Sequence, residues 1–377
     1  MKVPGYLVCL DIDKLMLELR NVLRRGWLTT GPVVEDLEAA WRQISNLPFA
    51  VGVSSGERAL DLALEALLPN RAMGRFVVVP GIAFVGDASA VIRAGRLPLF
   101  LDVDGTMQLS YEELRHLAEG PLASRVDGVI VVHIGGYISW HMNEIRALCT
   151  RMGWFLIEDA CHAHGAAKDG APPGTWGDAT ALSFYATKVV PGGEGGMLLT
   201  PHERVYEYAR LGRMAGCPSP YDLTPKIVAS DCRLSDLLAV IALYHTQKLR
   251  ELHVERAQYA KIYDRALDDH PGIWPLVIPD CEPSWYKYVV MTTNAEVKAA
   301  WEAKFKEAEI GLGGAVYGVP TYEHDLFGRY LCVRGQFAPS PLEMSDRLAK
   351  THLCLPMYNG LGRERAEYVA SILAEGL

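Results

Sequence analysis

The run Ala181-Leu182-Ser183-Phe184-Tyr185-Ala186-Thr187-Lys188, followed by Gly192-Gly193-Glu194-Gly195-Gly196, decides the reading of this chain. Ala181 to Tyr185 reads as a buried strand, and Lys188 stands where that strand gives way to a glycine-dense loop. Upstream, Trp154 to Ile157 is a second apolar run, and it ends in Glu158 and Asp159. An ionised carboxylate after four apolar residues is costly unless a cation pairs with it. A lysine and a carboxylate at the ends of two buried strands are what a pyridoxal phosphate site requires. The lysine holds the aldehyde, and the carboxylate keeps the ring nitrogen protonated so that the ring draws electrons from the substrate carbon.

Outward from these two runs, residues 50 to 200 alternate short apolar segments with amphipathic ones, the rhythm of an α/β domain. Strands are predicted at Phe76–Pro80, Leu97–Val103, Gly128–His133, Trp154–Glu158 and Thr180–Tyr185. The spacing predicts a helix over Glu57–Leu68, with Ala59, Leu60, Ala63, Leu64 and Leu67 on one face and Ser54 with Glu57 as a capping box. Further helices are expected over Glu144–Met152 and Asp236–Leu252. Past Leu249 the composition turns more charged. The expected division is a large cofactor-binding domain over 1–249 and a small C-terminal domain over 250–377.

At 377 residues, half of them hydrophobic, the chain is long enough for two domains with a sizeable core. A net charge of −8 without a Lys/Arg block argues against nucleic acid as a partner. Cysteines at 9, 149, 161, 217, 232, 281, 332 and 354 form no Cys-x-x-Cys pair, neither a disulfide framework nor a zinc knuckle. The longest apolar stretches are broken by Arg75, Asp87, Arg93 and Arg96, and Met1 to Leu10 lacks the pattern of a secretory signal. The expectation is a reduced, cytoplasmic protein that neither spans nor binds a membrane.

Two other segments suit the same cofactor. Ser54-Ser55-Gly56-Glu57 opens the amphipathic helix, where free N–H groups and a positive dipole end can receive a phosphate; a plain cap is the bland alternative. Phe84, after Val79-Pro80-Gly81-Ile82-Ala83, can lie flat on a pyridine ring, or be core. His162 and His164 invite a metal reading, but no third ligand stands at a convincing spacing. No metal is expected, with His162 contacting the ring and His164 structural. Gly135-Gly136 lacks the G-x-G-x-x-G spacing of a dinucleotide loop.

In their order along the chain, GWLTTGPVVEDLE (26–38), VSSGERALDLAL (53–64), VPGIAF (79–84), LFLDVD (99–104), VVHIGGY (131–137), IEDACHAHGA (157–166), GTWGDATALSFYATKVVPGGEGGM (174–197) and DCRLSDLLAVIALYHTQKL (231–249) resemble the sugar aminotransferases of the DegT/DnrJ/EryC1/StrS group. The resemblance implies the aspartate-aminotransferase-like fold type I: a mostly parallel sheet flanked by helices, plus a smaller C-terminal α+β domain. It implies that Lys188 carries pyridoxal 5'-phosphate covalently and then shuttles protons, with pyridoxamine phosphate as intermediate. Asp159 would pair with the ring nitrogen, His162 would stand where relatives have a glutamine, and Phe84 would stack on the ring. Ser55, Gly56, Glu57 and Ser183 would hold the phosphate. Asp231 lies in the segment that relatives send across a homodimer to the neighbouring phosphate, and Tyr317 and Tyr322 in one that lines the sugar site. The implied reaction carries the amino group of L-glutamate or glutamine to C3 or C4 of a nucleotide-linked keto-deoxysugar, in antibiotic or polysaccharide biosynthesis.

This chain departs from the group's pattern where Glu57 replaces a threonine, Asp231 an asparagine and Tyr322 a histidine. Two acids near a phosphate dianion repel it unless they turn away or a cation intervenes, with Arg58 a candidate. An aminocyclitol aminotransferase, or a non-transaminating enzyme on the same scaffold, is the alternative. A non-catalytic regulator is disfavoured by Lys188 and Asp159.

Overall fold

The computed structural model describes residues 1–68, 74–328 and 342–377; Cys332 lies outside them. Its centre is a seven-stranded sheet. The strands are β1 (Phe49–Val53), β2 (Phe76–Pro80), β3 (Leu97–Leu101), β4 (Val126–Val132) and β5 (Phe155–Asp159), then, past the short β6 (Ala167–Lys168), β7 (Ala179–Ser183) and β8 (Gly196–Thr200). The order is β1-β8-β7-β5-β4-β2-β3, and β8 alone runs antiparallel to its neighbours. Strands β2 and β7 are buried along their whole length, as sheet strands covered on both faces must be.

Helices α1 (Ile12–Arg25), α2 (Pro32–Ser45), α3 (Gly56–Leu67), α4 (Val85–Arg93), α5 (Tyr111–Glu119), α6 (Met142–Met152) and α7 (Glu203–Gly212) flank the sheet. The apolar stripe of α3 is the one expected: Ala59, Leu60, Ala63 and Leu64 are buried, each leucine worth about 1.5–3 kcal/mol. Its start differs from expectation. Ser55 is the N-cap, its Oγ accepting from Arg58 N–H at 3.2 Å. The Ser54 N–H donates instead to the Cys232 carbonyl, so Ser54 and Glu57 form no capping box.

The expected helix over Asp236–Leu252 is two helices, α8 (Asp236–Gln247) and α9 (Leu249–Leu267), because the backbone turns out of helical geometry at Lys248. The charged stretch beyond Leu249 is α9 itself. Beyond it come β9 (Ile273–Pro275), β10 (Cys281–Glu282, paired with β6), β11 (Tyr288–Thr292), α10 (Ala295–Glu307), α11 (Asp325–Gly328), α12 (Glu343–Thr351), β12 (His352–Leu355) and α13 (Arg363–Ala374). Strands β12, β11 and β9 make a small antiparallel sheet over a second core that includes Tyr263, Trp301, Phe305 and Leu373. Val3 belongs to this core too: its N–H donates to Glu309 O, and its carbonyl accepts from Gly311 N–H.

Buried carboxylates tie distant segments together. Asp236 accepts from Gly31 and Val33 N–H at 2.8 and 3.4 Å, capping α2 from across the chain. Asp102 accepts from Met344 N–H, Ser345 N–H and Ser345 Oγ, fixing the start of α12 beside the end of β3. None of the described helices is long and apolar enough to cross a membrane.

Gly196 decides how closely β8 passes under the head of α3. A Cβ there would lie 2.3 Å from Ser55 C and 2.5 Å from Gly56 N, both backbone atoms that cannot swing aside. Gly196→Ala is expected to lose about 1–3 kcal/mol of stability and to weaken phosphate binding at α3, measured by urea unfolding and by pyridoxal phosphate titration of the same variant.

Candidate active site

The carboxyl ends of β5 and β7 and the head of α3 meet in one cavity of about 540 Å³, where an open α/β sheet places its ligands. Asp159 is the last residue of β5, only 5% exposed, and its Oδ1 accepts from Cys161 N–H at 2.9 Å. Ser183 ends β7, and its Oγ accepts from Tyr185 N–H at 3.3 Å. Gly56 lies so close under these strands that a Cβ would meet Cys161 Sγ at 2.5 Å and Ser183 Cβ at 2.9 Å. The first turn of α3 thus stands against Ser183. Ser55 and Ser183 each use an oxygen lone pair on a backbone N–H and keep a hydroxyl proton to give.

Lys188 lies beyond β7, its Nζ 4.7 Å from the centre of the Tyr286 ring. Lys287 stands over the same ring at 5.1 Å, its Nζ donating to Gly313 O at 2.7 Å. Burial alone would raise the Tyr286 phenol, but Lys188, Lys287 and a hydrogen bond with Thr187 outweigh it and bring it below its ordinary range.

His162 is buried, and burial, then Lys188 and Lys287, hold its imidazole well below the ordinary range, so it is neutral. Gly135 N–H donates to His162 Nδ1 at 3.3 Å, which leaves the proton on Nε2, 3.4 Å from the Tyr317 hydroxyl. Gly136 permits this approach: a Cβ there would strike Ser284 Oγ and the His162 carbonyl. Phe84, 44% exposed, lines the cavity with its ring 6.2 Å from that of Tyr317. His164 packs between Trp41 and Phe184 in the core.

The site residues read from sequence therefore fall into two groups. Lys188, Asp159, Ser55, Gly56, Glu57, Phe84, His162, Ser183 and Tyr317 all line the cavity. Tyr322 and Asp231 do not. Tyr322 is buried against Phe100, with its hydroxyl on Leu342 O and Asp346, a core position. Asp231 is an exposed residue whose carboxylate is held by Arg233 at 2.5 and 2.9 Å. Glu57 turns to Arg93 at 2.7 Å, an arginine it shares with Asp61. Arg58, expected as the cation, is committed to Asp61 at 2.9 Å. Sequence reading passed over Tyr286, Lys287 and Thr187. The aromatic-basic run Trp285-Tyr286-Lys287-Tyr288 was a signal for the first two.

These groups fit pyridoxal phosphate: helix N–H groups and two hydroxyls for a phosphate, a buried carboxylate for a pyridinium, an aromatic ring to stack, and a lysine. Fold and site define a fold-type-I pyridoxal phosphate enzyme. The chain belongs to the DegT/DnrJ/EryC1/StrS aminotransferase family, which it matches over residues 11–374. It is 28% identical over 368 residues to the spore coat polysaccharide biosynthesis protein SpsC of Bacillus subtilis, covering 93% of this chain and 91% of that one. The fold superposes on the aminotransferase TlmJ of Streptoalloteichus hindustanus with a TM-score of 0.88 and 28% identity, covering 99% and 98% of the two chains. For DesV of S. venezuelae the TM-score is 0.86 and the identity 27%, with the same coverage. Membership makes the chain a pyridoxal phosphate-dependent sugar aminotransferase.

Lys188 is the lysine expected to carry the cofactor. Borohydride reduction and peptide mapping should place the pyridoxyl label on the Lys188 peptide, and Lys188→Ala should bind cofactor yet lose turnover. A label on Lys287 would overturn the assignment.

Proposed function

We propose that the enzyme transfers the amino group of L-glutamate or glutamine to C3 or C4 of a nucleotide-linked keto-deoxysugar, and that it works as a cytoplasmic homodimer. The observation that carries this reading is the pair of lysines held over the Tyr286 ring. Lys188 faces the carboxyl ends of the strands, whereas Lys287 also lines an adjoining hollow of about 430 Å³ with Gly5, Tyr6 and Leu312. A fixed ammonium beside space beyond the cofactor suits the phosphates of a nucleotide-linked substrate. The name of the relative SpsC, a polysaccharide biosynthesis protein, agrees with a sugar acceptor.

Pyridoxal phosphate, when bound, supplies a conjugated electron sink for the carbon that bears the amine. In this reading the head of α3, Ser55 and Ser183 anchor the phosphate. Asp159 holds the proton on the ring nitrogen. Lys188 Nζ, once free, carries a proton between substrate and cofactor carbons in both half-reactions. Neutral His162 adds no positive charge beside the ring and orients the Tyr317 hydroxyl.

Support for a dimer comes from apolar groups left in water. Tyr221 is 92% exposed, Leu223 76% and Val228 91%, all in the segment leading to Asp231, while Ile12, Met16, Leu17 and Leu23 are exposed on α1. Apolar side chains exposed in such number suit an interaction surface, and two-fold pairing is the commonest solution. It would carry the Asp231–Arg233 pair of one chain toward the cavity of another.

Glutamate should bleach the cofactor absorbance, and a panel of nucleotide-linked keto-sugars should then yield an aminated product by mass spectrometry. Amination of a keto-cyclitol, or an elimination product, would overturn the substrate reading. Sedimentation equilibrium is expected to give the mass of two chains, and an active monomer would refute the dimer.

A further inference from the structure

Asp87 takes no part in the reaction as described, yet it stands against the acid that does. It lies in the first turn of α4, three residues after Phe84, and is fully buried. Neither of its carboxylate oxygens meets an N–H or O–H donor. The Phe84 N–H favours the ionised form weakly but falls short of a bond. The group within hydrogen-bonding reach is the carboxyl of Asp159. Two carboxylates side by side offer only acceptors, so this contact becomes a hydrogen bond only if one of them carries a proton.

The surroundings choose which one. Glu57 of α3 also raises Asp87, though it is itself paired with Arg93; the Cys161 thiol and Tyr317 phenol beside the two acids are held neutral, and Lys188 is the cation that acts on the same cluster. Burial first, and the Asp159 charge second, push the Asp87 carboxyl well above the ordinary carboxylate range. The positive end of α4 favours an anion but does not outweigh complete burial. Charge balance points the same way. One pyridinium cation neutralises one carboxylate, and a second ionised acid beside it would be an unpaired buried charge.

We propose that Asp87 is a positioning residue of the amination site: its carboxyl keeps the proton of the pair and donates a hydrogen bond to Asp159, which keeps the negative charge and a fixed orientation toward the ring nitrogen. This rests on the assignment of Asp159 to that nitrogen.

Two variants separate the donor from the space it fills. Asp87→Asn keeps the size and an N–H donor and cannot ionise; Asp87→Ala keeps neither donor nor acid. The loaded wild-type enzyme should show the infrared carbonyl stretch of a protonated carboxyl, lost in Asp87→Asn. The kcat of Asp87→Asn should change by less than about tenfold. That of Asp87→Ala should fall about 10- to 100-fold, the equivalent of one hydrogen bond to a charged group, with KM little altered.

The unfolding free energy of the full-length, cofactor-free chain adds a readout independent of turnover. The native state retains a proton that the unfolded chain releases near pH 4. Stability should therefore decline from about that pH upward until the raised native pKa is reached, and Asp87→Asn should remove this slope. No protonated-carboxyl band in the wild type, or wild-type kcat in Asp87→Ala, would overturn the proposal. An active Asp159→Asn would instead overturn the reading beneath it. If Asp87→Ala does not fold, the infrared band and the pH slope of Asp87→Asn decide the matter.

Discussion

A carboxylate buried at the end of an interior strand constrains everything around it. Asp159 ends β5, whose neighbours β4 and β7 cover both of its edges, so it is almost wholly buried and opens only onto the cavity. It needs partners supplied by the fold or by the ligand. The sheet order provides them by bringing the end of β7, the turn holding Lys188 and the head of α3 to the same rim. A positive helix terminus and a negative strand end thus share one rim, the arrangement that would suit a ligand with a phosphate at one end and a pyridinium at the other.

The two acids that depart from the family's phosphate pattern acquire a physical account. Each is matched by an arginine of its own chain, Glu57 by Arg93 and Asp231 by Arg233. Both pairs are too exposed for the pairing to add much stability, about 0–1 kcal/mol each. Their effect is electrostatic: an acid tied to a guanidinium presents a dipole, not a full negative charge, to an approaching phosphate. Arg93 holds Glu57 and Asp61 together, so the head of α3 and the end of α4 share one cation.

Much of this was legible because buried strands and amphipathic helices leave periodic signals. Phe76–Pro80 is the strand the sequence predicts, and the strands around it shift by only a residue or two at their ends. Lys188 and Asp159 stood out because charge beside long apolar runs is expensive. The same logic applied to Asp87, which interrupts an apolar run; its meaning lay in contact with a residue far away in sequence. The break at Lys248, the cap at Ser55 and the Arg93 pairing depend on tertiary geometry that no local window contains. Tyr322 was read from its neighbourhood in a motif, but its side chain turns inward to Phe100 and Asp346.

The pairing of Val3 with Glu309 and Gly311 joins positions that are far apart in sequence. Gly5 extends the join, lying so near Leu312 that a Cβ would sit 2.1 Å from its carbonyl oxygen. Val3 thus completes a core whose other buried members all lie at Tyr259 or beyond. Making this join closes a loop of about 300 residues, an entropic cost that grows only slowly with length. The core beneath the small sheet is thus closed by stretches far apart in sequence, so its formation carries a high contact order that the locally wound helices around it do not.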